Sequence, residues 1–497
     1  MKILKGSFII LLFIMLFPLG CIGQHVFSEM EFEYGKTFLP YDVPYTFALE
    51  DKQFVMLTEV KKNTMKLVRY DQYFFEQWQT EIELNSDESA PQAFVRGDTL
   101  ILYSFSTILD EKQIRLSFKY FDLKNGIETH GTNYVFSVLD HEGYSPKLLF
   151  SQDKLKFLIY NYLVSYEGKS SVEFQIFDIG NETPLFKYHL DAEILSPSKA
   201  LQAHLSNEGD LFLTTVLASE FKVETYFFGS KSDDISQVNN NFFFERPVDN
   251  IGEINIVRQS SSSYFVSFTA NIEDELIGFN ITGFNVVLKT VMYSYNQNLR
   301  RDEIESLYAN YYVTSPDQKK KNLEVAETFE NFHLVKSFVN SQNDIILFFE
   351  NLEIPIEFHE NAVSENMPWK HKFKEDKFYF GGDILMYCYS EVGQEKWKKV
   401  IQKTQFSQGS ALGLSFIDYL HEDNLDLLMY ESSKGGNFYV LSINTLNGSL
   451  TKTINLIPND KFEFTKKYSC WLNEKAVIIC GIAPANINNR SQMLVEF

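Results

Sequence analysis

The feature that most constrains this chain is a hairpin pattern that is written eight times. Near the end, residues 468–482 read YSCWLNEKAVIICGI: an apolar run, a polar turn at Asn473, Glu474 and Lys475, and a return run that is more continuously apolar. Two neighbouring strands look like this when the first alternates and the second is buried on both faces. The pattern recurs at residues 45–59 (YTFALEDKQFVMLTE), 92–105 (QAFVRGDTLILYSF), 148–162 (LLFSQDKLKFLIYNY) and 203–217 (AHLSNEGDLFLTTVL). Residues 255–270, 335–350 and 415–430 complete the set. Turn chemistry and strand pattern agree each time.

Successive second strands lie about 46–56 residues apart, with two intervals near 80, which is the length of one four-stranded blade plus loop, twice enlarged. Each hairpin is followed by a third strand and a turn into a fourth, as in YFDLKNGIE at 120–128 and YSEVGQEKW at 389–397. No regular helix separates them. The expectation is an all-β chain folded as a single β-propeller of eight four-stranded blades over residues 24–497, with seven blades as the runner-up if the enlarged units are miscounted. After the last hairpin only SQMLVEF remains, enough for a third strand. The unpartnered run VFSEMEFEY at 26–34 is therefore expected to supply the fourth and close the ring.

The enlarged units carry insertions at about residues 297–330 and 356–378. In the first, Ile304, Leu307, Tyr308 and Tyr311 have helical spacing, so a short helix competes there with a fourth strand. The second separates the second and third strands of its blade. If the first follows the fourth strand of the blade before it, both emerge on one face, and that asymmetry points to a functional face.

Residues 1–23 read as a signal peptide: Lys2 and Lys5, an apolar run from Phe8 to Phe17, then Gly20 and Gly23. The run is about half of the roughly 20 residues that span a bilayer, so no transmembrane span is expected after cleavage. Two cleavages stay open: after Gly23, or before Cys21 in a lipobox-like Leu19-Gly20-Cys21 whose usual Leu is Pro18. The chain is thus expected to be exported to the periplasm, the outside, or the outer membrane as a lipoprotein. Its net charge of −21 repels phosphate backbones and excludes nucleic acid as a partner. Cys470 and Cys480 lie on opposite arms of the last hairpin, where a disulfide and two buried thiols are both open readings.

Residues 378–405, FYFGGDILMYCYSEVGQEKWKKVIQKTQ, join an aromatic-Gly-Asp-Ile strand to a Gly turn, Trp397 and an Ile401-x-Lys403-x-Gln405 ending. This segment resembles one found in secreted or lipid-anchored propeller-like proteins of Bacteroidetes-type bacteria. The resemblance spans about one blade and implies the fold and an exported setting, with no activity attached. A Gly turn followed by Trp also occurs in quinoprotein propellers. Here only Gly393 with Trp397 has it, Trp78 lacks the Gly, and packing is the preferred reading. Sialidase-type Asp boxes, zinc-protease, paired CxxC, nucleophile-elbow and phosphate-loop motifs are absent, so no cofactor is expected.

The sharpest binding candidates sit in the second insertion. Trp369 is an aromatic anchor flanked by Lys370, His371 and Lys372, a combination suited to a protein or glycan surface. His359 and His371, with Glu357 and Glu360, lack a third firm ligand and are read as exposed side chains rather than a metal site. The function expected is a non-catalytic binding or scaffold protein of the cell envelope, a monomeric ring with a protein or glycan partner. The alternative is a propeller enzyme acting on extracellular glycans or small molecules with carboxylates in the central funnel.

Overall fold

The computed structural model describes residues 25–33 and 45–496, apart from 62–63, 86–87, 89–90, 109–112, 138–146, 165–169, 182–183, 191–199, 218–221, 230–234, 309–310, 314–328, 354–377, 409–415, 432–436, 457–462, 465 and 483–488. Eight sheets, antiparallel within the blade core, follow one another at residues 46–83, 92–137, 147–190, 200–241, 250–298, 332–408, 416–456 and 470–496. In six of them neighbouring strands are consecutive in the chain, so those blades are simple meanders, and blades 6 and 8 add strands from elsewhere in the chain. First strands lie side by side around the axis: that of blade 4 next to that of blade 5, blade 5 next to blade 6, and blade 8 next to blade 1. This is the eight-bladed propeller expected from the repeats.

The ring closes as expected too. Strand His25–Glu33 pairs antiparallel with Asn489–Glu496, from His25 opposite Glu496 to Glu33 opposite Asn489. It supplies the outermost strand of blade 8, whose inner strands are Cys470–Asn473 and Ala476–Ile482. The seam between first and last blades is stapled by the Gln492 amide, which donates to the hydroxyl of Thr46 at 3.3 Å, by that hydroxyl, which donates to the carbonyl of Tyr468 at 3.1 Å, and by Lys52 on Glu496 at 2.6 Å.

Burial explains the dense second strands. In blade 6, Ile345, Leu347 and Phe349 point into the seam with blade 5, while Ile346 and Phe348 point into the seam with blade 7. A middle strand therefore has no solvent face and reads as a continuous apolar run. The core is a succession of such seams, each filled by alternate residues of two blades, rather than one central mass. Aromatic rings fill the wedge-shaped space: Phe157 stacks on Phe177 at 4.9 Å, and Tyr134 meets both edge-on.

Two details differ from the sequence reading. The first insertion follows the fourth strand of blade 5, as the one-face reading requires, but it does not trade that strand for a helix. Blade 5 completes its own fourth strand, Thr290–Asn298, and the chain then forms helix Arg301–Tyr308 and strand Tyr311–Val313. That strand runs parallel to Glu395–Gln402 and lengthens the outer edge of blade 6. Helix and fourth strand coexist because the helix buries Leu307 and Tyr308 against the blade 5–6 seam. Cys470 and Cys480 are also not opposite each other. Register sets Cys470 against Ile478 and Cys480 against Gln492, and both are free thiols. No helix among the described residues is long and apolar enough to cross a membrane.

Candidate binding site on blade 6

Blade 6 departs from the four-stranded plan. Its third strand, Phe378–Tyr389, is 12 residues long. Residues 384–389 pair with the fourth strand, while Phe378–Gly381 pair with a continuation of it, Gln405–Gln408. The second strand, Ile345–Glu353, follows on the other side, with Leu352 opposite Gly381 and Glu353 opposite Phe380. Second, third and fourth strands thus grow past the blade as a three-stranded stalk. The second insertion, 356–378, is the connection between two of those strands. Trp369, Lys370, His371, Lys372 and His359 lie outside the described residues, as does Cys21. What the described residues define is the platform from which that insertion leaves the ring.

The stalk rests on charges in the interior. Between Gln402 and Gln405 the fourth strand bulges, and the bulge turns Lys403 inward. Its ammonium meets Glu350 Oε1 at 2.6 Å and donates to Gln405 Oε1 at 2.7 Å, with both charged side chains at 0% exposure. The Lys403 main-chain N–H, freed from the ladder, donates to Asp383 Oδ1 at 3.3 Å. The other Asp383 oxygen accepts the hydroxyl of Tyr308 from the inserted helix. Burial raises the Asp383 pKa against these hydrogen bonds, and burial lowers that of Lys403 against the pull of Glu350. A side chain at Gly381 would intrude here: its Cβ would lie 2.9 Å from Gln405 Oε1 and 3.3 Å from Lys403 Nζ.

The inserted helix is fastened by a second ion pair. Lys398 reaches Glu303 Oε1 at 2.9 Å, and the Tyr387 hydroxyl donates to the same carboxylate at 3.1 Å. Helix, bulge and stalk are consequently one assembly. Gly381, Asp383, Lys403 and Gln405 come from the two ends of the 378–405 segment, and their convergence accounts for that motif as a packing unit. Glu350 was not singled out by sequence reasoning. Its signal was a lone acid closing the apolar run Ile345–Phe349.

The funnel carboxylates of the enzyme reading fare differently. On the first strands, Glu253 of blade 5 meets His333 of blade 6 at 2.8 Å, and Asp418 of blade 7 meets Lys336 of blade 6. Each acid is held by a basic side chain of the neighbouring blade, which makes both of them seam contacts. Burial disfavours a charged His333, but the hydrogen bond and charge of Glu253, with Asp274, outweigh it and raise its pKa. No group of three or more His, Cys, Asp or Glu able to hold a metal occurs among the described residues.

No protein-family model matches the chain and no curated protein matches it. Among solved structures it is similar to the WD40 domain of SCAP from fission yeast (9% identity, TM-score 0.37, covering 94% of this chain and 98% of that one). It is also similar to a europium-containing methanol dehydrogenase (8%, 0.41, 94% and 92%) and to the quinohemoprotein alcohol dehydrogenase ADHIIG from Pseudomonas putida (9%, 0.41, 94% and 76%). Likeness this distant brings no activity to the chain.

Proposed function

We propose that this protein is an exported, non-catalytic binding ring of the cell envelope, and that blade 6 is its contact site. The observation that carries the reading is the stalk: three strands extended past the blade and locked at the base by the buried Glu350–Lys403 pair. A buried ion pair is a poor source of stability but a good source of a fixed geometry. A fixed stalk from which the 356–378 insertion leaves the ring is what a binding surface needs, because ordering costs at its base are then met before the partner arrives. Trp369, with Lys370, His371 and Lys372, supplies an aromatic anchor and cations for a protein or glycan partner. The ion-paired acids of the first strands support binding over catalysis.

The test is capture from the native envelope with the tagged mature protein, repeated with residues 356–378 replaced by a short Gly-Ser linker. Loss of partners with an unchanged unfolding midpoint supports the assignment. Retention of every partner after the replacement refutes it.

A further inference from the structure

The opposite face of the ring carries the turns between first and second strands and between third and fourth strands. Loop tips of this kind are ordinarily polar. Here they hold eight of the fourteen large apolar side chains that stand exposed among the described residues. Six of the eight form two groups. In blades 1 and 2, Tyr73, Phe75 and Ile127 are 50%, 67% and 61% exposed. The contact of Trp78 with Gly126 joins these two turns. In blades 5 and 6, Val287, Leu288 and Val392 are 73%, 69% and 59% exposed, and Tyr293 against Gly393 joins those turns. Single exposed apolar residues need no explanation, but a recurrence on one face, grouped across seams, marks a contact surface.

Charge decides what the surface fits. Apart from the buried Asp344, the described residues of these turns contain eleven carboxylates against five lysines, in a chain of net charge −21. A second copy would bring the same acidic face, and an anionic lipid surface would be repelled. We infer that the turn face docks a cationic partner segment that places aliphatic or aromatic anchors against Val287, Leu288 and Val392 and against Tyr73, Phe75 and Ile127. Apolar anchoring would give the affinity, and the acidic surround would speed and select the encounter. This surface is separate from the blade 6 stalk, which leaves the other face, so either assignment stands without the other.

The probe is a synthetic amphipathic peptide of Lys and Leu, compared with Lys/Ser and Glu/Leu peptides of equal length by fluorescence anisotropy. The wild-type ring should bind Lys/Leu at least about tenfold more tightly than Lys/Ser, a difference of about 1.4 kcal/mol, and should not bind Glu/Leu. The variant Val287→Ser/Leu288→Ser/Val392→Ser keeps every charge and should lose about tenfold for Lys/Leu, as should Tyr73→Ser/Phe75→Ser/Ile127→Ser. Circular dichroism of both variants checks that the ring is intact. Equal binding of Lys/Leu and Lys/Ser, or undiminished binding by both variants, overturns the inference, since bulk charge alone would then account for capture. So does a self-association in sedimentation, or an attachment to phosphatidylglycerol vesicles, that the same substitutions abolish.

Discussion

The indole N–H of Trp78 donates to the main-chain carbonyl of Leu123 at 3.0 Å, fastening the fourth strand of blade 1 to the turn of blade 2. Trp397 does the same to Thr445 at 3.2 Å, from blade 6 to blade 7. In both, a glycine three residues further on gives the ring room. Gly126 has φ +73° and Gly448 has φ +67°, and a Cβ on either would lie 2.5 or 2.7 Å from the indole. Tyr293 sits against Gly393 at φ +80° in the same relation between blades 5 and 6. One device thus serves three seams, and its glycines are required both for their backbone angle and for the ring above them.

Gly126→Ala and Gly448→Ala should each destabilise the ring by about 1–3 kcal/mol, combining left-handed strain with overpacking. Trp78→Phe keeps most of the ring and loses the donor, for about 1 kcal/mol. Denaturant unfolding measures all three. A Gly126→Ala protein with the wild-type midpoint would mean that the indole swings aside freely.

The His333–Glu253 contact predicts a pH dependence. Because the folded pKa of His333 is raised above its ordinary 6.5, its contribution is complete below that value and is lost as pH rises through the raised one. The pKa of Glu253 is lowered: burial opposes its charge but the His333 hydrogen bond prevails. Its contribution is therefore present above the ordinary 4.5 and lost as pH falls through the lowered value. The unfolding midpoint should decline as pH rises above about 6.5, and His333→Gln should flatten that decline. An identical slope in the variant would assign the pH dependence to other groups.

Much of the ring was legible in the sequence because repetition is a local signal summed eight times. Each second strand is buried on both sides, so Leu211–Leu217 and Ile345–Glu353 announce themselves without knowledge of their neighbours. The closing strand was legible by subtraction, since a blade ending at Glu496 lacked one strand and His25–Glu33 had no blade. Trp78 and Trp397 were read as packing residues, and their geometry bears that out. The base of the stalk was not legible as a cluster. Glu350, Asp383 and Lys403 are far apart in the chain, and a bulge that turns one lysine inward has no periodic signature. The turn-face side chains were hidden for the opposite reason: Val287 and Val392 look like strand residues until the strands are seen to end beside them.

The buried pair at the base of the stalk gives a prediction in two steps. Lys403→Met leaves the Glu350 carboxylate uncompensated at 0% exposure and should cost about 3–5 kcal/mol. Adding Glu350→Gln removes the buried charge, and the double variant should recover most of that loss, because a buried ion pair and a neutral pair of similar volume differ little in stability. Thermal unfolding of the two single variants and the double completes the cycle. Strict additivity of the two losses would contradict a direct pair.

Closure by the first strand is the most severe test of the ring. Strand His25–Glu33 contacts blade 8 along Asn489–Glu496, and removing residues 25–33 leaves that third strand as an open edge. The loss of its ladder, at about 0.5–1.5 kcal/mol for each hydrogen bond, amounts to several kcal/mol. It falls on a blade that also holds blade 1 through Tyr468 and Gln492, both hydrogen-bonded to Thr46. The truncated protein should unfold at a clearly lower denaturant concentration and should associate through the bare edge as its concentration rises. A synthetic peptide of residues 25–33 added in trans should restore the midpoint and suppress association, and a scrambled peptide should do neither. A truncated ring that keeps both its midpoint and its monomeric state would place the closure elsewhere.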